Sequence, residues 1–124
     1  PKEYYELYEN EIDLLESQKR FYGMITNIDD NFGRLHQHVE SLGILDNTII
    51  IFTTDNGTSN GYKYSRKDKK WLGFNAGMRG TKTSEYDGGH RVPFIIKWKK
   101  GGLFGGHNYS GLSAHVDMLP TLLS

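Results

Sequence analysis

The chain has 124 residues, of which 36% are hydrophobic and 24% charged, a composition typical of a folded globular domain and unlike that of a disordered chain. Fifteen basic residues balance fifteen acidic ones, which argues against nucleic acid or an anionic membrane as a partner. The absence of cysteine excludes disulfides, thiolate metal sites and a cysteine nucleophile within the chain, and no apolar run approaches the roughly 20 residues that span a bilayer.

The first predicted element is a long helix over residues 17–42. Gly43 follows it, and glycine is a natural residue at the end of a helix. Its apolar residues recur at spacings of three, four and seven, which places them on one helical face: Phe21, Met24, Ile25, Ile28, Phe32, Leu35, Val39 and Leu42.

Two apolar runs follow, "TIIIFTT" at 48–54 and "VPFIIKW" at 92–98. Because they lack polar alternation, they are typical of strands covered on both faces in a parallel sheet. Pro93 suits the beginning of the second strand better than its middle. The tail "SAHVDMLPTLLS" is predicted to begin another helix, with Asp117 near its start and Pro120 in its first turn. The order of elements indicates the α/β class.

Two such strands need neighbouring strands and helices on each side, which 124 residues do not supply. We therefore expect residues 1–124 to form part of one larger domain, without an internal domain boundary.

The first polar cluster comes directly after the apolar run 48–54. Asp55 and Asn56 stand where the carboxyl end of a strand would deliver them, and functional groups collect at such ends in open α/β sheets. A carboxylate and an amide oxygen are hard ligands that suit calcium or magnesium. The alternative is a plain Asp-Asn-Gly turn, because all three residues tolerate the backbone angles of a turn.

The second cluster is the glycine-flanked loop "RGTKTSEYDGGHRVP" at 79–93. Lys82 can offer a point charge to an anionic group, while nearby backbone N–H groups complete the cradle. The alternative is an ordinary solvated lysine. His90 is either a proton donor or a hydrogen-bonded structural group. The loop's other charged residues most simply fix its shape: Glu85, Asp87 and Arg91.

Four segments in this order resemble the later part of the catalytic domain of the formylglycine-dependent sulfatases, relatives of alkaline phosphatase. They are "YGMITNIDDNFGRL" (22–35), "LDNTIIIFTTDNG" (45–57), "RGTKTSEYDGGHRVPFIIKW" (79–98) and "HVDMLPTLL" (115–123). The resemblance covers nearly the whole chain. It implies part of a mixed, mainly parallel sheet sandwiched by helices.

The resemblance also implies residue roles. Asp55 and Asn56 fall on the family's calcium ligands, and Lys82 falls on a catalytic lysine that binds a sulfate oxygen of the substrate. His90 and Arg91 are expected to support these residues without touching metal or sulfate. Hydrolysis of a sulfate ester with one calcium ion is the implied reaction.

The family's nucleophile, a formylglycine, arises in a Cys/Ser-x-Pro-x-Arg motif that this chain lacks. We therefore expect the formylglycine in a missing N-terminal part, and no turnover by this chain alone. Two alternatives remain open: a phosphonate or phosphate ester hydrolase of the same superfamily, and a non-catalytic relative used for binding.

The implied partners are a sulfated small molecule or carbohydrate and the remaining N-terminal part of the domain, with no nucleic acid and no membrane span. Residues 61–75 are candidates to line the substrate pocket, with aromatics for a sugar ring and cations for sulfate; the alternative is a solvated lysine-rich loop. These residues are Tyr62, Tyr64 and Trp71 with Lys63, Arg66, Lys67, Lys69 and Lys70. A periplasmic, secreted or lysosomal location is implied by the resemblance only.

Overall fold

The structure is a computed structural model that describes residues 1–59, 62–67 and 69–123. These residues form one long helix, several short helical segments and two small sheets. The side chains of Tyr62, Lys70, Trp71 and Leu72 also lie outside the description. The helices are α1 (Lys2–Glu6), α2 (Glu16–Ser41), α3 (Asp87–His90) and α4 (Met118–Leu123), with 3₁₀ turns at Leu45–Asn47 and His115–Asp117. The strands are β1 (Ile50–Thr53), β2 (Tyr62–Ser65), β3 (Lys70–Gly73) and β4 (Phe94–Lys97).

Helix α2 confirms the helix predicted over residues 17–42. The side chain of Gln18 accepts a hydrogen bond from the backbone N–H of Leu15 at 2.8 Å, which caps the first turn. Gly43 adopts a φ of +69° just beyond the last turn, a conformation that glycine takes without steric cost and that ends the helix. The apolar face is only partly covered by the described residues, since Met24 and Leu35 are exposed.

Helix α1, which the sequence patterns did not predict, crosses α2 at close range. Tyr4 is buried there, and a Cβ on Gly23 of α2 would come within 2.8 Å of the Tyr4 carbonyl oxygen. The hydroxyls of Tyr8 and Thr26 share a hydrogen bond of 2.7 Å, and Tyr5 donates one of 3.0 Å to Glu16. The absence of a side chain at position 23 thus allows the two helices to meet.

Both predicted apolar strands form, but the described residues confirm neither a parallel arrangement nor coverage on both faces. β1 and β4 pair antiparallel, with Ile50 opposite Lys97 and Thr53 opposite Phe94. Apolar runs specify a strand but not its direction, which depends on pairing partners elsewhere in the chain. Only one face of β1 is covered, where the Phe52 ring meets Phe32 of α2 edge to face at 5.5 Å; the described residues leave the opposite face exposed.

The lysine-rich stretch, interpreted above as a loop, contains an antiparallel hairpin of β2 and β3. Tyr64 lies opposite Trp71, and Ser65 opposite Lys70, in the backbone register. Every second residue of "YKYS" is aromatic, and such alternation favours a strand.

The predicted C-terminal helix is confirmed as a 3₁₀ turn that leads into α4. The Asp117 carboxylate accepts a hydrogen bond of 2.7 Å from the Ala114 backbone N–H and so fixes the first turn. Among the described residues, none of the helices has the length and apolarity that crossing a membrane requires.

Candidate functional site

The segment after β1 is a turn fixed by its own polar side chains. The Thr54 hydroxyl donates a hydrogen bond of 3.1 Å to the Asn56 carbonyl, and the Asn56 Nδ2 donates one of 2.8 Å to the Gly57 carbonyl. Asp55 is exposed at the tip, and no described cation forms an ion pair with its carboxylate. The amide nitrogen of Asn56 is thus occupied by the backbone, which leaves its oxygen as the atom suited to a cation.

Lys82 lies at the tip of a second tight turn. The Ser84 N–H donates to the Thr81 carbonyl at 2.9 Å, and Thr83 adopts a φ of +75°. A positive φ at a β-branched residue is rare and is held only where the surrounding structure imposes it. The Lys82 side chain is exposed, so its ammonium is free to meet an anion in solvent.

Backbone hydrogen bonds bring these two turns together. The Lys82 N–H donates to the Thr58 carbonyl, and the Gly57 N–H donates to the Gly89 carbonyl, both at 2.8 Å. The Gly88 N–H in turn donates to the Arg79 carbonyl at 2.7 Å. We call the segments 55–58, 79–82 and 88–89 the glycine junction. The structure therefore joins, through backbone hydrogen bonds, the turn of the predicted calcium ligands and the turn of the predicted sulfate-binding lysine.

Glycine is required at the centre of this junction. A Cβ on Gly57 would collide with the Gly88 carbonyl, and its separation from the Gly89 carbonyl carbon would be only 2.9 Å. A Cβ on Gly88 would come within 2.7 Å of the Arg79 carbonyl oxygen. The glycines of "DNG" and "DGG" thus allow the two turns to approach at backbone contact distance.

His90 and Arg91 lie beside the junction, where their contacts hold the α3 turn. His90 Nε2 lies 3.0 Å from the Glu85 carbonyl oxygen, and the Arg91 guanidinium lies 3.7 Å from the Asp87 carboxylate. Both side chains are exposed, so the ion pair contributes little to stability. The loop-fixing interpretation of Asp87 and Arg91 agrees with this contact.

Two residues of the site were not singled out from the sequence. Asn75 is buried, and its Nδ2 donates to the carbonyls of Met78 and Gly80 at 3.2 and 2.8 Å. Arg79 stacks its guanidinium over the Tyr86 ring at 3.5 Å from the ring centroid, a cation–π contact. No local sequence signal marks either contact, because each depends on how the loop folds back on itself.

Asp55 and Asn56 are the type of oxygen ligand that a hard cation prefers, but two ligands do not complete its coordination. Calcium takes roughly 6 to 8 oxygen ligands. No group of three or more His, Cys, Asp or Glu side chains within the described part of the chain is arranged to hold a metal. These two residues therefore supply a share of a coordination shell.

The hairpin β2–β3 lies between the two clusters in chain order. The side chains of Lys63, Arg66, Lys67 and Lys69 are exposed on it, which agrees with either interpretation of residues 61–75. Among the predicted aromatics, the Tyr64 side chain is exposed. Gly61 and the side chains of Tyr62, Lys70 and Trp71 lie outside the described residues, so their part of the predicted pocket remains a prediction.

Known proteins match this chain along its length. A family model described as Sulfatase matches residues 1–124. An N-acetylglucosamine-6-O-sulfatase of Bacteroides thetaiotaomicron is 32% identical over 103 residues, which cover 83% of this chain and 16% of that protein. An arylsulfatase of Clostridium perfringens is 33% identical over 117 residues, which cover 89% of this chain and 20% of that protein.

A third relative has a broader name. The multifunctional alkaline phosphatase superfamily protein PehA of Trinickia caryophylli is 29% identical over 114 residues, which cover 92% of this chain and 20% of that protein. The chain thus spans about a sixth to a fifth of the length of these curated relatives. No solved structure matches it with significance.

Proposed function

Because the chain belongs to the sulfatase family, whose alkaline-phosphatase-like fold is of the α/β class, we propose that it forms the later part of a catalytic domain that hydrolyses sulfate esters. In this proposal the mainly parallel sheet is completed by chain outside residues 1–124, which also covers the exposed faces of β1 and α2. The formylglycine nucleophile belongs to that other part, so residues 1–124 alone do not turn over substrate.

Asp55 and Asn56 hold one calcium ion in the complete enzyme, through a carboxylate oxygen and an amide oxygen. When bound there, a calcium ion would supply positive charge next to the sulfate oxygens. Lys82 binds one sulfate oxygen through its ammonium and neutralises charge that develops on it in the transition state. Each role matches the chemical type of the side chain; Asp55 and Lys82 are exposed, and Asn56 is half-buried.

The observation that carries the proposal is the glycine junction. Two turns that are distant in sequence share the hydrogen bonds Lys82 N–H to Thr58 and Gly57 N–H to Gly89. A site that binds one anion through both a metal ion and a lysine must hold the two at a fixed separation, since misplacement by about 1 Å can cost 100-fold in rate. Backbone hydrogen bonds provide such a fixed framework, whereas a plain surface turn does not require one.

A phosphonate or phosphate ester hydrolase is the second candidate. The resemblance to a protein named as a multifunctional member of the alkaline phosphatase superfamily favours it. A metal ion and a lysine serve a phosphoryl group by the same electrostatic principle as a sulfuryl group. The substrate preference therefore separates the two candidates.

The test uses the full-length protein that contains this chain, beside residues 1–124 alone. Calcium binding is measured by calorimetry, and hydrolysis is measured with p-nitrophenyl sulfate, p-nitrophenyl phosphate and a p-nitrophenyl phosphonate. We expect the full-length protein to bind calcium and to prefer the sulfate ester, and the isolated chain to do neither. Preference for a phosphorus ester would establish the second candidate. Absence of both calcium binding and hydrolysis would establish a non-catalytic relative.

A further inference from the structure

Asn75 is the polar residue most deeply placed behind the Lys82 turn, at 7% exposure. We propose that Asn75 is a positioning residue for Lys82: the Asn75 side chain fixes the backbone from which the lysine side chain extends. This inference rests on the proposed function, because it assigns Asn75 to the sulfate-binding half of that site.

The surroundings of the Asn75 side-chain amide require a hydrogen-bond donor at this position. Its nitrogen faces two carbonyl oxygens, of Met78 and Gly80, at 3.2 and 2.8 Å. A carbonyl only accepts hydrogen bonds, so the side-chain atom between the two must be the NH₂ group and not the oxygen. The Met78 N–H returns a hydrogen bond of 2.9 Å to the Asn75 carbonyl and closes the turn.

This turn has a backbone that would not hold its shape unaided. Ala76 has a φ of +47°, and Gly77 and Gly80 have φ values of +69° and +84°. A positive φ at alanine is unfavourable and persists only where surrounding contacts impose it. The two hydrogen bonds of Asn75 are contacts of this kind, since they bridge both ends of the strained segment.

The segment held by Asn75 leads directly to Lys82. Gly80 is two residues before the lysine, and the Lys82 N–H is fixed by Thr58 on the other side of the junction. The Asn75 amide also packs against Gly88, where an added Cβ would lie 2.7 Å from Nδ2. The Asn75 side chain therefore lies against two separate segments of the Lys82 loop, one at 78–80 and one at Gly88.

A side chain that positions the backbone acts on catalysis through the lysine. The Lys82 ammonium is carried on a flexible stem, so its reach depends on where the stem begins. Aspartate in place of Asn75 has nearly the same shape but offers an acceptor to two carbonyls. This change removes both hydrogen bonds and leaves buried acceptors facing each other.

The test is a double-mutant cycle in the full-length protein with p-nitrophenyl sulfate. We expect Asn75→Asp to lower kcat by roughly 10- to 100-fold, the scale of a displaced catalytic group. In a Lys82→Ala background we expect Asn75→Asp to cost less than about 3-fold, because the group that it positions is gone. The matched control is Asn31→Asp in α2, the same substitution at an exposed asparagine whose Nδ2 also donates to a backbone carbonyl, that of Asn27 at 2.7 Å; it should keep the wild-type rate.

A second variant and a second measurement guard against misfolding. Asn75→Ala removes both donors without adding charge, and it enters the same cycle if Asn75→Asp does not fold. Hydrogen exchange of the Lys82 amide, which needs no activity, is expected to accelerate in either variant while exchange in α2 does not.

The outcomes separate this inference from the proposed function. Equal losses with and without Lys82, or unchanged exchange at Lys82, would overturn the positioning role while sulfatase activity stands. An inactive full-length protein would refute the proposed function, and the exchange measurement would still decide whether Asn75 holds the turn. A Lys82→Ala variant with the wild-type rate would remove Lys82 from the site and would overturn the positioning role with it.

Discussion

The backbone N–H of Lys82 donates a hydrogen bond of 2.8 Å to the carbonyl oxygen of Thr58. These residues belong to different polar clusters, and the β2–β3 hairpin separates them along the chain. Their contact uses backbone atoms only, so the side chain of Lys82 remains available for a ligand. Substitutions at the tips of the two turns should therefore change chemistry without unfolding the junction.

Lys82→Ala is expected to lower kcat/KM for a sulfate ester roughly 30- to 1,000-fold, which corresponds to a loss of about 2–4 kcal/mol of transition-state stabilisation. In the proposed site, the variant loses the positive charge that neutralises the charge developing on a sulfate oxygen. Steady-state kinetics of the full-length enzyme measure this loss. Lys100→Ala, at an exposed lysine of the turn after β4, is the control that should keep the wild-type rate. Equal rates for both variants would mean that Lys82 is only a surface residue.

If Asp55 holds calcium as proposed, Asp55→Ala is expected to weaken calcium binding and nearly abolish activity, because it removes a charged ligand of the ion. Calorimetric titration of the full-length protein with calcium measures the affinity, and the sulfate ester assay measures the rate. Asp46→Ala is a matched control: that carboxylate is exposed and pairs with Lys99 at 2.8 Å, a surface ion pair of little energetic value. Wild-type affinity and turnover in Asp55→Ala would remove the residue from the metal site.

Gly57→Ala is expected to destabilise the fold by about 1–3 kcal/mol, because the new methyl group overlaps the Gly88 carbonyl. Gly33→Ala is the opposite case. Apart from its chain neighbours and the backbone of its own helix, no atom of the described residues lies within 4 Å of a Cβ at position 33 in α2. We therefore expect a gain of about 0.5–1 kcal/mol from helix propensity. Urea unfolding of both variants measures the difference. A neutral Gly57→Ala would show that the two turns do not approach as closely as described.

His90→Ala is expected to have little effect on kcat and to change stability by less than about 0.5 kcal/mol, the usual range for exposed positions. The imidazole contacts the Glu85 carbonyl and is exposed, which suits a supporting role better than proton transfer. A pH–rate profile of the variant provides the measurement. A collapse in rate at unchanged stability would make His90 a catalytic acid.

Tyr5→Phe is expected to raise the pKa of Glu16 towards its ordinary value. The Tyr5 hydroxyl donates to the Glu16 carboxylate and is the main cause of its lowered pKa, with Arg20 second. A lowered pKa contributes stability that is present above the unfolded pKa and is lost as pH falls through the folded one. As the pH falls below about 4.5, the variant should therefore lose less stability than the wild-type protein. NMR titration of Glu16 checks the shift, and an unchanged pKa would contradict the assigned cause.

Local sequence patterns were sufficient to predict those elements that are determined by residues close to each other in the chain. The spacing of apolar residues predicted α2, and Gly43 predicted its end, because both follow from helix geometry and from the backbone freedom of glycine. The apolar runs predicted β1 and β4 as strands. The oxygen-bearing residues after β1 and the glycine-flanked Lys82 were also recognisable, since ligand chemistry is a property of the residue itself.

Direction, burial and contact were decided by the tertiary structure. The antiparallel pairing of β1 with β4, the α1–α2 crossing at Gly23 and the burial of Asn75 depend on segments that are distant along the chain. The glycine junction depends on the same information, because a hydrogen bond between Lys82 and Thr58 leaves no periodicity in the sequence. The sequence by itself determined which residues are suited to bind a cation and an anion, and the fold decided that the turns carrying them are held together.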